Sequence, residues 1–127
     1  MTYYIAKTVS GDFDAVVARV IDALKAESFG VLTDIDVAAT LKKKIDVDFR
    51  PYRILGACNP KMAHKALMAE DKIGVMLPCN VIVQQTDQGV EVAAVDPVAS
   101  MQAVENPGLA GIAGPVKEAL TRVVEGL

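Results

Sequence analysis

Tryptophan is missing from this 127-residue chain and aromatic residues make up only 5% of it, although 52% of its residues are apolar. Its core therefore has to be assembled from Val, Ala, Leu and Ile, by close packing of many small side chains. Cationic side chains are in short supply: 13 Lys and Arg stand against 16 Asp and Glu, a net charge of −3. Nucleic-acid binding draws on concentrated Lys and Arg to neutralise phosphates, so no nucleic-acid partner is expected. The one basic cluster, Lys42-Lys43-Lys44, reads as the solvated face of a helix. No run of about eighteen apolar residues exists, which argues against a membrane-spanning helix. The N-terminus lacks a charged segment leading into an apolar run, so no signal peptide is expected. Two cysteines are too few for a disulfide scaffold. These absences point to a cytoplasmic protein with reduced thiols, and the length fits one domain over 1–127.

The patterns that are present read as alternating strands and helices. Tyr3 to Val9 is a first strand, closed by Ser10-Gly11. Phe13, Val16, Val17, Val20, Ile21 and Leu24 recur at helical spacing behind Asp12, a candidate N-cap, and Gly30 suits the left-handed position after this helix. Val31 to Val37 alternates, with Asp34 and Asp36 opposite Val31, Thr33, Ile35 and Val37. Ala38 to Ile45 is helical, Tyr52 to Cys58 a strand, and Asn59-Pro60 starts the next helix with an N-cap and a proline at its first position. Ile73–Leu77 and Cys79–Thr86 read as one long strand interrupted by Pro78. Asp87-Gln88-Gly89 turns into Val90–Val95, and two helices follow, opened by Asp96-Pro97 and by the Pro107–Pro115 segment. The order is β-α-β-α-β-α-β-β-α-α, an α+β fold with an antiparallel or mixed sheet and helices on one face.

Both cysteines are followed by asparagine, Cys58-Asn59 and Cys79-Asn80, in a chain with only three asparagines. Cys58 ends a strand just before a helix N-terminus, whose free N–H groups and dipole favour a thiolate or a bound anion. Cys79 shares strand parity with Val81 and Val83, which suits a small buried side chain. A metal would draw on Cys58, Cys79 and His64, the only histidine, with Met62 and Met76 as soft thioether donors. No Cys-x-x-Cys or His-x-x-x-His spacing supports that set, and His64 stands six residues beyond Cys58, off its helix face. Arg50, Tyr52, Arg53, Asn59 and Asn80 are candidate ligand-binding residues, with arginine beside an aromatic side chain to hold a small anion. The carboxylates at Asp34, Asp36, Asp46 and Asp48 read as solvated. There is no phosphate loop, nucleophile elbow or dinucleotide fingerprint. No pattern of residues favours an enzyme, and none identifies a cofactor.

Three segments in order, Gly30-Val-Leu-Thr-Asp-Ile-Asp36, Asp48-Phe-Arg-Pro-Tyr-Arg-Ile-Leu-Gly-Ala-Cys-Asn-Pro60 and Leu77-Pro-Cys-Asn-Val81, resemble the domain of unknown function 302 family. The resemblance spans nearly the full length. It implies a small α+β domain with a curved, mostly antiparallel sheet and flanking helices, of the TATA-binding-protein-like kind, and commonly a homodimer. It also implies that Cys58, Asn59, Pro60, Pro78, Cys79 and Asn80 belong to shared motifs, and it supplies no activity. Three functional readings follow: a thiol-based redox, sulfur-handling or soft-metal protein using Cys58 and Cys79; a non-catalytic module for a small anion; or a homodimer in which both motifs are structural.

Overall fold

The computed structural model describes residues 2–127. Strands β1 (Tyr4–Val9), β2 (Gly30–Asp36), β3 (Tyr52–Cys58), β4 (Cys79–Thr86) and β5 (Gly89–Val95) form one antiparallel sheet in the order β1-β5-β4-β3-β2. The helices are α1 (Phe13–Ala26), α2 (Val37–Ile45), α3 (Pro60–Ala69), α4 (Pro97–Ser100) and α5 (Ala110–Glu125). None of the described residues form a helix long and apolar enough to cross a membrane.

The apolar stripes of α1 and α5 lie on one sheet face. Val16, Val17, Val20 and Leu24 of α1 and Val116, Leu120, Val123 and Val124 of α5 are buried against Leu55, Ala57, Val81, Val83, Val90, Val92 and Ala94. Valine dominates this layer, as the scarcity of aromatics requires. Lys7 fastens the edge strand to the end of α5, its Nζ donating to the carbonyls of Glu125 and Leu127 at 2.9 and 2.7 Å. Arg122 joins α5 to the end of α1 through Glu27. A smaller cluster of Ala66, Ile73 and Leu109, with Leu77, Met101, Val104 and Ile112 around it, lies beside this core.

Several helix starts follow their sequence signals. Asp12, Asn59 and Asp96 accept from Ala15, Met62 and the Val98–Ala99 pair of amides, respectively. Elsewhere the structure departs from the pattern. Ser28, at φ 68°, takes the left-handed position after α1, and Gly30 instead begins β2. Residues Asp71–Met76 form a 3₁₀ helix and not the first half of a long strand: Ile73 is buried while Val75 is 85% exposed, which strand parity would not give. The strand begins only after Pro78, which has no N–H to donate to a ladder.

β2 also breaks its apparent alternation. Val31 pairs with Ala57 and Thr33 with Gly56, leaving Leu32 as an extra residue in the strand. This bulge reverses the parity beyond it. Asp34 consequently sits opposite Leu55 on the helix side, where both Nε and Nη2 of Arg53 bond its carboxylate. Asp36 caps α2 by accepting from Ala39 N at 2.9 Å. Gly56, opposite the bulge, is buried, and a Cβ there would overlap Thr33 Oγ1 and lie 2.8 Å from Pro78 Cγ.

Gly56→Ala is expected to destabilise the protein by about 1–3 kcal/mol, the usual cost of overpacking. Gly30→Ala, with open space at its Cβ, should stay within about 0.5 kcal/mol of the parent. Urea midpoints of both variants check this. A second expectation concerns Asp96, which is 8% exposed and pairs with Lys117 at 3.0 Å. Burial pushes its pKa up, but the bond from Lys117 and those from the Ala99 and Val98 amides outweigh it and hold the carboxyl below its usual value. Its stabilising contribution is therefore present above the unfolded value of about 3.9 and is lost as pH falls through the folded one. Asp96→Ala should cost about 1–3 kcal/mol at neutral pH. The gap to the parent should narrow in acid, measured by urea unfolding at both pH values.

Candidate functional site

The two Cys-Asn pairs occupy different positions in the fold. Cys58 is the last residue of β3, and Asn59 behind it caps α3, its Oδ1 accepting from Met62 N at 3.3 Å. Cys79 is the first residue of β4 and lies opposite buried Ala57, so it points to the helix side. Asn80, opposite Gly56, points to the other side and is exposed. The repeated dipeptide thus yields one helix cap and one open-face amide.

Its cysteines converge. Ala57 pairs with Cys79, so Cys58 stands one residue beyond the partner of Cys79, with Cα atoms roughly 6 Å apart from strand spacing and rise. Strict alternation would turn Cys58 to the other face, but as the last residue of β3 it lines the same pocket as Cys79. Both thiols are free and half-buried. Both line one pocket of about 300 Å³ between the β3 and β4 ends, α3 and the first half of α5. Phe29, Ala57, Met62, Ala66, Pro78 and Val116 form part of its wall, and Leu77, Met101, Leu109, Ile112 and Ala113 another part. Burial pushes the Cys79 thiol up to about 11, and the neighbouring Cys58 adds to the effect. Cys79 is thus protonated at neutral pH.

The other candidate residues lie elsewhere. His64 is exposed on α3 and is not part of the pocket wall. Of the thioethers, Met62 lines the pocket and Met76 does not, while Met101 joins it from a segment whose sequence carries no periodic signal. Among the described residues, no group of three or more His, Cys, Asp or Glu side chains is placed to hold a metal ion.

Arg50, Tyr52 and Asn80 belong to the open sheet face, whereas Arg53 points to the helix side and is engaged by Asp34. That pairing, chiefly its hydrogen bond, lowers the Asp34 pKa and raises that of Arg53. Arg50 stacks over Phe49, 4.4 Å from the ring centroid, and its Nε donates to Gln84 Oε1 at 2.9 Å. Gln84 in turn donates to Glu91 at 2.8 Å. The arginine pair expected to frame one anion cleft is therefore divided between two faces. A shallow trough on the open face, lined by Tyr4, Tyr52, Asn80, Ile82, Gln84 and Glu91, carries a carboxylate and no unpaired cation among these residues.

The pocket's far wall went unread in the sequence. Ala110-Gly111-Ile112-Ala113-Gly114 lies in the segment read there as a helix start, and it does form the first turns of α5; the space beside it is what the pattern did not show. Its run of small residues was the available signal for a helix that leaves space beside it.

Comparison with known proteins agrees with this architecture. The model of the family described as "Domain of unknown function DUF302" matches residues 5–127. A solved structure, the crystal structure of an uncharacterized conserved protein DUF302 from Bacillus stearothermophilus, is 28% identical and superposes with a TM-score of 0.91, covering 98% of each chain. No curated protein matches the chain. With the family model spanning all but its first residues and a solved relative sharing its whole fold, this chain belongs to the DUF302 family.

Proposed function

We propose that this protein is a thiol-based redox protein in which Cys58 is the attacking thiol and Cys79 the resolving one. The observation that carries the reading is that both cysteines line one pocket, Cys58 lying one residue beyond the strand partner of Cys79. A Cα spacing of roughly 6 Å, set by strand spacing and rise, lies within the separations a disulfide bridges. With Cys79 held protonated at neutral pH, exchange begins at Cys58, the residue that precedes the α3 N-terminus. The Cys58 thiolate attacks one sulfur of a small disulfide, forming a mixed disulfide and expelling the first thiolate. That thiolate takes the proton of Cys79, whose sulfur then attacks Cys58 Sγ and expels the second. Two protein thiols are oxidised to one disulfide, and the small disulfide is reduced to two thiols.

Soft-metal carriage is a second reading of the same pocket. It is favoured by the thioethers of Met62 and Met101 beside the two thiols, a donor set suited to Cu(I). As an assembly, a homodimer through the uncovered sheet face is supported by Tyr4 and Ile35, which are 43% and 47% exposed.

Incubation with a small oxidised disulfide, followed by native mass spectrometry, tests the exchange. The parent should become about 2 Da lighter per chain as the internal disulfide forms. Cys79→Ser should stop at the mixed disulfide on Cys58, and Cys58→Ser should remain unmodified. Absence of the mixed disulfide in a folded Cys79→Ser variant contradicts the assignment. The same spectra read the assembly: twice the 13.5 kDa chain mass is expected, and a monomer at micromolar concentration removes the dimer.

A further inference from the structure

The pocket also carries information in its walls, apart from its sulfurs. It lies in the seam between the two apolar clusters of the molecule. Phe29, Ala57 and Val116 belong to the main core, whereas Ala66, Leu109 and Met101 belong to the smaller cluster. Protein interiors normally close such seams by interdigitation to crystal-like density. Here Ala63, Ala66 and Ala113 stand where α3 and α5 face the opening, and their short side chains leave about 300 Å³ unfilled. An apolar cavity of about 150 Å³ is large enough to stay dry and bind benzene. This space is twice that size and opens to solvent beside Leu32 and Leu67, which are 67% and 44% exposed.

Among the described residues, no Asp, Glu, Lys, Arg or His contributes to the wall. Its only side-chain amide, Asn59, already accepts from the Met62 N–H through Oδ1. A charged ligand would lose its hydration there with no ion-pair partner to replace it. The thiols, one of them protonated at neutral pH, and the Met62 and Met101 thioethers are the polarisable groups left.

We infer that this pocket binds a small, neutral, apolar organic molecule with about ten to twenty non-hydrogen atoms, the size range of a substituted bicyclic aromatic. The inference deepens the thiol reading by naming the class of molecule seated against Cys58 and Cys79, but it rests on the walls. It stands or falls separately from the exchange chemistry.

Fluorescence titration of the full chain with neutral N-phenyl-1-naphthylamine tests it, with 8-anilinonaphthalene-1-sulfonate as the anionic counterpart. Saturable one-to-one binding of the neutral dye is expected, with the sulfonate at least about tenfold weaker because its charge finds no partner. Ala63→Phe, which fills the pocket from α3, should weaken the neutral dye at least about tenfold, whereas Lys65→Ala on the exposed side of α3 should leave it unchanged. Saturating dye should also slow alkylation of Cys58 and Cys79 in the parent protein, a readout that needs no variant. Absence of saturation, equal affinity for the sulfonate, undiminished binding in a folded Ala63→Phe variant, or unprotected cysteines would each overturn the inference. Dye binding that survives in the Cys58→Ser, Cys79→Ser double variant supports the pocket irrespective of the exchange result.

Discussion

The organisation of the site depends on the close approach of three chain segments at Gly56. Thr33 from β2 and Pro78 from the entry to β4 press on a position of β3 that has no side chain. The bulge at Leu32 lies against the same point and reverses the parity of β2. One residue further along β3, Ala57 is aligned with Cys79, and the next residue, Cys58, begins the passage into the capped start of α3. The absence of a side chain at this backbone position therefore admits the strand register in which the two cysteines become neighbours. It also accounts for Asp34, which the bulge turns toward Arg53 and away from the solvated face.

Above this register the molecule is packed unevenly. Valines of the sheet and the stripes of α1 and α5 form a dense layer, whereas α3 and the chain around Met101–Leu109 gather a second, smaller cluster. The seam between them holds the pocket. Its low polarity separates the roles of the two sulfurs: burial keeps Cys79 protonated, while Cys58 stands at the end of its strand by the α3 N-terminus. Two thiols in one pocket but in unequal surroundings form the basis of the proposed exchange.

Local signals in the sequence located most elements because their causes are local. Asp12, Asn59 and Asp96 cap helices through amides two or three residues away, and the spacing of Val16, Val17, Val20 and Leu24 reports its own buried face. The misread segments were those decided by distant contacts. The β2 alternation was overridden by a bulge set against β3, and Ile73–Leu77 has strand-like composition but lies in and beside a 3₁₀ turn whose buried residue belongs to the smaller cluster. The cysteines were legible as a repeated pair, but their proximity required the β3–β4 register. The pocket was not legible at all, since its walls come from Phe29, the β3–α3 junction, Leu77, Met101 and α5. The division of Arg50 from Arg53 likewise turned on which sheet face each side chain takes.

The central claim is that Cys58 and Cys79 share a pocket while differing in reactivity. The most direct measurement is the alkylation rate of each cysteine in the native protein, followed by site-resolved mass spectrometry from roughly pH 6 to 11, a range that brackets the unperturbed thiol value of about 8.5. The account predicts that Cys58 reacts faster across the neutral range, with the Cys79 rate still rising toward its value of about 11. Equal rates for both cysteines, or thiols that react only after denaturation, would contradict it.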